Sequence, residues 1–192
     1  MKQNLRSLRR TLKSREDSLI SYLRKLKDKI IDDAIFHKIL PCGSTPGVLY
    51  SLPKVQKLGC PFRPIVSSIN TDNYNLASYL VRKLQPISTN EFTIKDSFSF
   101  ADWAKTYNHN NEMMCSFDVS SLFTNVPLDE TIQICLDKLY APPTLPRSVS
   151  KVLLEFATKK SHFIFDGQYY DQIDGVAMGH SPLGPVSWPI SL

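Results

Sequence analysis

The chain has 192 residues, of which 42% are hydrophobic and 21% charged, and its formal net charge is +5. These values are ordinary for a globular protein. No stretch approaches the roughly 18 apolar residues that a membrane helix requires. The N-terminal sequence MKQNLRSLRR also lacks the apolar core of a signal peptide. Secretion and membrane insertion are therefore not expected.

Positive charge is concentrated in two parts of the sequence. Residues 1–15 contain no carboxylate and carry these bases: Lys2, Arg6, Arg9, Arg10, Lys13 and Arg15. The stretch between Asp33 and Asp72 also lacks carboxylates and contains Lys38, Lys54, Lys57 and Arg63. A local positive surface suits phosphate oxygens, but a solvated basic patch has the same charge pattern. The charge alone leaves both interpretations open.

The four cysteines do not have the spacing of a metal site. Cys42, Cys60, Cys115 and Cys135 include no C-x-x-C pair, and no histidine lies near them at zinc-ligand spacing. We expect reduced thiols that serve as small buried or half-buried packing residues.

The first half of the chain predicts helix, then a hairpin, then helices. Apolar residues recur at helical spacing within 14–40, where Ser14 and Asp17 match a capping box. The runs VLYSLPKVQK and FRPIVSSI, separated by KLGCP, predict a two-stranded element with a basic tip. Further helices are expected at 72–85 and from Phe98 to Tyr107, the latter capped by Asp96.

The second half predicts a buried strand, two helices and a hairpin. The apolar run MMCSFDV reads as a compact strand ending at Asp118. Helical spacing then recurs in LDETIQICLDKLY and again at Val149, Val152, Leu153 and Phe156. SHFIF and QYYDQ flank Asp166-Gly167, a dipeptide suited to a tight turn. Helices and strands alternate without βαβ regularity, so the expected class is α+β.

Asp118 has two interpretations. An aspartate that follows a buried strand and precedes a turn and a helix is a usual Mg²⁺ ligand, because the strand holds it while the loop leaves it reachable. An aspartate in this setting caps a turn at least as often. The residue by itself does not decide between them.

Four segments resemble the reverse transcriptases of Penelope-like retroelements, which are also similar to telomerase. They are LYSLPKVQK, GCPFRPIVSSINTDNYNLASYL, CSFDVSSLFTNVPLDETI and FDGQYYDQIDGVAMG, in the family's order and approximate spacing. The resemblance implies a right-hand polymerase: a basic leader and helix at 1–45, fingers at 46–110 and a partial palm at 111–192. It also implies that the chain descends from an RNA-directed DNA polymerase. The implied partners are dNTPs and an RNA or DNA template-primer, and the implied location is intracellular, with the nucleus expected for a retroelement polymerase.

The resemblance assigns roles to individual residues. Asp118 matches the first metal-binding aspartate, and the backbone carbonyl of Val119 would contact the same Mg²⁺ ions. Phe123 matches the bulky residue under the nucleotide sugar, and Arg63 matches the arginine on its triphosphate. Without the family, Phe123 reads equally well as core and Arg63 as a solvated turn residue. The remaining matches are Lys54 and Lys57 near nucleotide or nucleic acid, and Gly179, Ser181 and Pro182 beneath the template.

The same resemblance predicts incomplete chemistry. Two-metal nucleotidyl transfer needs several carboxylates, and the family's Tyr-x-Asp-Asp string does not occur before Leu192; a thumb is not expected either. If the last strand continued through Asp171 and Asp174, these residues would point to opposite faces and would not both reach one site. We expect them to be hairpin and turn carboxylates. We expect a catalytically incomplete polymerase domain. The alternatives are a non-catalytic nucleic-acid-binding module and a decayed retroelement fragment.

Overall fold

The computed structural model describes residues 5–41, 43, 45–107, 113–139, 145–159 and 161–178, with side chains from residue 10 onward. Within these ranges it contains helices and one four-stranded mixed sheet, which confirms the α+β class. The helices are α1 (Leu5–Leu26), α2 (Asp33–Ile39), α3 (Tyr74–Leu84), α4 (Ser97–Thr106), α5 (Leu128–Lys138) and α6 (Arg147–Thr158). The strands are β1 (Gly47–Pro53), β2 (Phe62–Ser67), β3 (His162–Phe165) and β4 (Gln168–Asp171). Short 3-10 turns occupy Gln85–Ile87 and Leu122–Thr124.

The N-terminal segment forms two helices, so the prediction of one helix over 14–40 was wrong. Helix α1 already runs from Leu5, which places Ser14 and Asp17 inside it, where a capping box has no role. The chain then breaks at 27–32, where Asp28 adopts a left-handed conformation with φ of 62°. Asp32 starts α2 by accepting a hydrogen bond from the Ile35 backbone N–H at 2.7 Å. Helical periodicity continues across the break because both helices bury apolar residues in one core.

The sheet brings distant segments together in the order β2-β1-β3-β4. β1 and β2 form the predicted hairpin and pair antiparallel from Val48 opposite Ser67 to Pro53 opposite Phe62. β3 pairs with β1 in parallel and with β4 antiparallel. Asp166 and Gly167 have φ of 47° and 66°, as the tight turn predicted there requires. The sheet therefore joins the 47–67 region to the 162–171 region.

The core lies among the helices, not under the sheet. Its side chains come from all three predicted regions of the chain and include Leu19, Leu23, Ile39, Leu76, Leu84, Leu153 and Leu154, each at most 1% exposed. Helices α3, α5 and α6 match the positions predicted from their apolar spacing. No described strand residue other than Gly47 is buried.

Polar groups connect the helices at the edge of this core. The buried Asn73 side chain, just before α3, donates to the backbone carbonyls of Phe156 and Ala157 at 3.3 and 3.1 Å. The Arg15 guanidinium of α1 lies 3.3 Å from the Asp72 carboxylate, and a second nitrogen donates to the Lys159 carbonyl at 3.4 Å. These bonds hold α1 and α3 against the C-terminal end of α6.

The strand predicted at MMCSFDV is absent, and that prediction was wrong. Residues 113–119 form no strand, and Met113, Met114 and Phe117 are 86%, 64% and 91% exposed. A strand needs a neighbour that satisfies its backbone groups, and the described chain offers none alongside this run. Asp118 therefore follows an exposed, unpaired segment.

Helix α4 forms where predicted and begins at its predicted cap, since Asp96 accepts from the Ser99 N–H at 2.8 Å. It buries no residue. None of the described helices is both long and apolar enough to cross a membrane. The division into leader, fingers and palm stays a prediction.

Candidate functional site

A cavity of about 650 Å³ lies between the sheet, the 118–124 turn and the segment after β4. Its lining includes Lys54, Arg63, Asp118, Val119 and Phe123. Sequence resemblance had assigned these five residues to nucleotide and metal binding. They come from three segments of the chain, and the fold brings them to one cavity. A volume of this size is typical of small-molecule sites, roughly 300–1,000 Å³.

The β1–β2 hairpin supplies the cationic part of the lining. Arg63 lies on β2 opposite Leu52 of β1. Lys54 directly follows β1, and its backbone N–H donates to the Pro61 carbonyl at 2.9 Å, which holds the start of the hairpin loop. Lys57 lies at the exposed tip and is not part of the cavity lining. The hairpin thus places Lys54 and Arg63 in the cavity lining and Lys57 outside it, at the exposed tip.

The turn after Asp118 forms the opposite part. Ser121 adopts a left-handed conformation with φ of 52°, and a short 3-10 turn, Leu122–Thr124, follows it. The Phe123 backbone carbonyl accepts from the Val176 N–H at 2.7 Å, and the Met178 carbonyl accepts from the Val66 N–H at 3.1 Å. The segment after β4 therefore binds both the turn and β2. Phe123 is half-buried and packs against the helical core.

Gly175 is a structural residue of this site that sequence reasoning missed. Its φ is +69°, and a Cβ atom built there would lie 2.3 Å from the Phe123 carbonyl oxygen and 2.7 Å from Thr124 backbone atoms. A glycine is therefore required for both its backbone conformation and its close approach to the turn. The signal in the sequence was the Asp174-Gly175 dipeptide, which is typical of a turn.

Asp171 and Asp174 both line the cavity together with Asp118. Asp171 is the last residue of the β3–β4 hairpin and Asp174 lies in the turn that follows it, which confirms the prediction of hairpin and turn carboxylates. The strand does not continue through both residues, so the argument that would have placed them on opposite faces does not apply. The Gln172 N–H donates to the Ser161 carbonyl at 2.9 Å, and the Gln172 side chain donates to the Asp174 carbonyl at 3.1 Å, so the chain turns there. Asp171 also hydrogen-bonds to Nδ1 of His162.

The donor set fits a metal that arrives with phosphate ligands better than a metal held by protein alone. Within the described ranges, no three histidine, cysteine, aspartate or glutamate side chains are grouped closely enough to hold an ion. Mg²⁺, however, usually keeps several waters and takes one or two carboxylates plus substrate phosphates. Asp118 is available for such a role, because it is exposed and lines the cavity.

Four residues named from the sequence lie outside the described residues, and two of the cysteines are not packed as predicted. Gly179, Ser181 and Pro182 lie outside the described residues, as does Cys42. Cys135 is buried as expected, but Cys60 and Cys115 are exposed, so the prediction of packing roles was wrong for those two. Cys60 lies in the hairpin loop and Cys115 in the unpaired segment before Asp118, and neither position is covered by the core.

Comparison with models of known protein families gives no match, nor does comparison with the sequences of curated proteins. The assignment of roles at this site therefore depends on the motif resemblance and on the geometry of the cavity.

Proposed function

We propose that the cavity binds the Mg²⁺ complex of a deoxynucleoside triphosphate beside a nucleic-acid template, as the nucleotide site of a reverse-transcriptase-type domain. One observation carries this proposal. Lys54, Arg63, Asp118, Val119 and Phe123 received nucleotide-site roles from separate sequence motifs, and all five line the same cavity. Motifs matched by chance would have no reason to converge on one cavity.

The charges of the lining favour a metal-bound nucleotide over a free one. Lys54 and Arg63 suit phosphate oxygens, and a guanidinium binds them in a bidentate manner. The carboxylates of Asp118, Asp171 and Asp174 would repel a free triphosphate at the same time. A divalent cation bound to the phosphates offsets this repulsion and gives Asp118 a ligand role.

The lining also provides an apolar surface for a sugar and base. Leu49, Phe62, Phe163 and Val176 line the cavity along with Phe123. In this arrangement the ring of Phe123 would leave no room for a ribose 2′-hydroxyl, so deoxynucleotides bind in preference to ribonucleotides. The Val176 hydrogen bond to the Phe123 carbonyl fixes the backbone from which that ring projects.

Calorimetric titration of the chain with dTTP and Mg²⁺ tests the proposal. Replacing Arg63 by Gln should weaken binding at least about tenfold, because charge-assisted hydrogen bonds contribute roughly 1.5–3 kcal/mol. Arg82→Gln, at an exposed position of α3 outside the cavity, is the matched control. Equal affinities of the two variants would refute the nucleotide site.

Two further variants separate the roles within the cavity. Asp118→Asn should weaken binding of the Mg²⁺ complex and reduce the dependence of binding on Mg²⁺, since an amide is a much weaker ligand than a carboxylate. Phe123→Ala should raise the affinity for UTP relative to dTTP. A variant at position 123 that leaves this ratio unchanged would contradict the role assigned to the ring.

Catalysis is a separate question, because the sequence contains no Tyr-x-Asp-Asp string. We expect no primer extension by this stretch alone on an RNA template with dNTPs and Mg²⁺. A second candidate function is therefore a non-catalytic nucleic-acid-binding module, favoured by Lys57 at the exposed tip of the β1–β2 hairpin. Template-dependent incorporation that disappears in Asp118→Ala would contradict the expectation of inactivity.

A further inference from the structure

A second concave surface lies between α1 and α6, away from the nucleotide cavity. It is a broad groove of about 720 Å³, and none of its lining residues also lines that cavity. The lining consists of Arg10, Lys13, Ser14, Asp17, Ser18, Ser21, Tyr22 and Lys25 from α1, with Val152 and Phe156 from α6. We call this surface the α1–α6 groove.

The polar lining forms a continuous face along the helix. Positions 10, 14, 17, 21 and 25 recur every three or four residues, so they share one side of α1 over about four turns. Lys13 and Ser18 flank this row, so the groove is lined by three cations, three serines and one carboxylate, that of Asp17. The surplus of positive charge and the hydroxyl groups suit successive phosphates of an extended polyanion.

Two aromatic side chains line the same groove. The rings of Tyr22 and Phe156 lie with their centroids 5.9 Å apart, and both residues are half-buried. Unpaired bases stack on aromatic rings, whereas the paired bases of a duplex do not present their faces. The combination of cations with aromatic rings therefore fits a single strand better than a duplex.

The position of α1 argues against a membrane surface as the partner. A membrane-bound amphipathic helix inserts its apolar face into the lipid. In α1 that face is already used, because Leu12, Leu19, Leu23 and Leu26 are buried in the protein. Arg15 additionally anchors α1 to Asp72 and to the end of α6. The polar face is what remains available to a partner.

We infer that the α1–α6 groove binds a single-stranded nucleic acid, with phosphates on Arg10, Lys13 and Lys25 and bases against Tyr22 and Phe156. This surface would add a nucleic-acid contact outside the nucleotide cavity. The idea that the bound strand is a template rests on the proposed function. Its binding of a strand does not depend on that function and can be measured separately.

The test is the salt dependence of binding of a fluorescent oligouridine by the whole chain. We expect at least about tenfold weaker binding by the triple variant Arg10→Gln, Lys13→Gln, Lys25→Gln. The slope of log affinity against log salt should also fall by about 2 in magnitude, the value for three phosphate contacts on a single strand. The matched control is Lys29→Gln, Arg82→Gln, Lys138→Gln, which removes the same charges at exposed positions outside the groove. Binding by the control should equal that of the unaltered chain.

Photo-crosslinking with oligo-5-iodouridine locates the strand. The adduct is expected on the tryptic peptide 16–24, which contains Tyr22, and should disappear in Tyr22→Leu, which retains the groove cations. Equal binding by the two triple variants, absence of oligouridine binding, or binding of anionic vesicles in its place would each overturn the inference. The dTTP titration in the same samples tests the nucleotide cavity on its own, so failure of one proposal is distinguishable from failure of the other.

Discussion

The helical part of the molecule and the part that forms the cavity differ in how far their large apolar side chains are buried. Helices α1, α2, α3, α5 and α6 each contribute buried leucines or isoleucines to one shared core. The sheet with its β1–β2 hairpin loop, α4 and the 113–119 segment leave many of theirs exposed. Examples are Val55, Leu58, Phe62, Phe98, Met113 and Phe117, which are all more than two thirds exposed.

This difference distinguishes the part of the molecule that stabilises the fold from the part that forms contact surfaces. Burial of apolar area is the main favourable term in folding, so the helical core supplies most of the stability. The exposed apolar groups of the other part contribute little to it, and exposed apolar patches mark contact surfaces. The candidate cavity lies in that second part, along the sheet.

Thiol labelling gives the largest expected contrast. Desolvation in the core raises the pKa of the buried Cys135 thiol to about 11, while Cys60 and Cys115 are exposed. Iodoacetamide at pH 8 should therefore alkylate Cys60 and Cys115 and leave Cys135 unmodified in the folded protein, because the thiolate is the reactive form. Mass spectrometry of tryptic peptides measures all three sites.

Labelling in urea is the control, and there Cys135 should react like the others. Between the ordinary thiol pKa and about 11, the unfolded chain loses a proton at Cys135 that the folded chain keeps. Stability from this group therefore falls as the pH rises through that range. Fast labelling of Cys135 in the native protein at pH 8 would contradict its position in the core.

Local signals in the sequence predict much of the fold but not this contrast. Helix caps and turns are local, so Asp96, the Asp166-Gly167 turn and the periodicity of α3, α5 and α6 identified their elements correctly. Pairing and burial depend on distant residues. The run before Asp118 has the composition of a buried strand, yet nothing described lies beside it to pair with, and Cys115 is exposed as a result.

The candidate site shows the same limit. Motif matches identified Asp118, Arg63 and Phe123, and the cavity brings these residues together. Asp174 was predicted as a turn carboxylate and not as part of the cavity lining, and Gly175 was missed, because their positions depend on where β4 ends and on the approach of that segment to Phe123. Neither feature is encoded in a short motif. Strand length and close backbone contacts have to be observed.

Truncating one leucine in each part tests whether the two parts contribute differently to the free energy of unfolding. Leu153→Ala removes a side chain that is 0% exposed, and such changes cost about 2–5 kcal/mol of unfolding free energy. Leu58→Ala, at a residue 104% exposed in the hairpin loop, should change it by less than about 0.5 kcal/mol. Urea denaturation measures both, and similar losses would show that the helical core is not the main source of stability.

Two glycine substitutions test the cavity part by itself. Gly175→Ala combines a positive φ with a Cβ position 2.3 Å from the Phe123 carbonyl oxygen, whereas Gly167→Ala has a positive φ of 66° and open space around it. Strain of this kind costs roughly 1–3 kcal/mol, so the position 175 variant should lose more stability. It should also weaken dTTP binding by displacing the 121–124 turn. A larger loss at position 167 would contradict the close contact.

The smallest expected effect concerns the ion pair between α5 and the residue after α6. The hydrogen bond from the Lys159 ammonium, 2.7 Å from the Asp129 carboxylate, lowers the pKa of Asp129, and the same bond raises the pKa of Lys159. The Asp129 contribution to stability is therefore present above its unfolded pKa of about 3.9 and disappears as the pH falls through the folded value. The Lys159 contribution is present below its unfolded pKa of about 10.4 and disappears as the pH rises.

Thermal melts of the unaltered chain and of Asp129→Asn at several pH values measure this pair. The unaltered chain should melt slightly higher between about pH 5 and 9, by an amount that is small because the Asp129 side chain is largely solvated. The difference should shrink as the pH falls below the unfolded pKa of Asp129 and through its lowered folded pKa. Glu130→Gln is the control, because it removes a neighbouring exposed carboxylate that forms no ion pair within the described chain. A difference that persists unchanged at low pH would show that Asp129 contributes through something other than its charge.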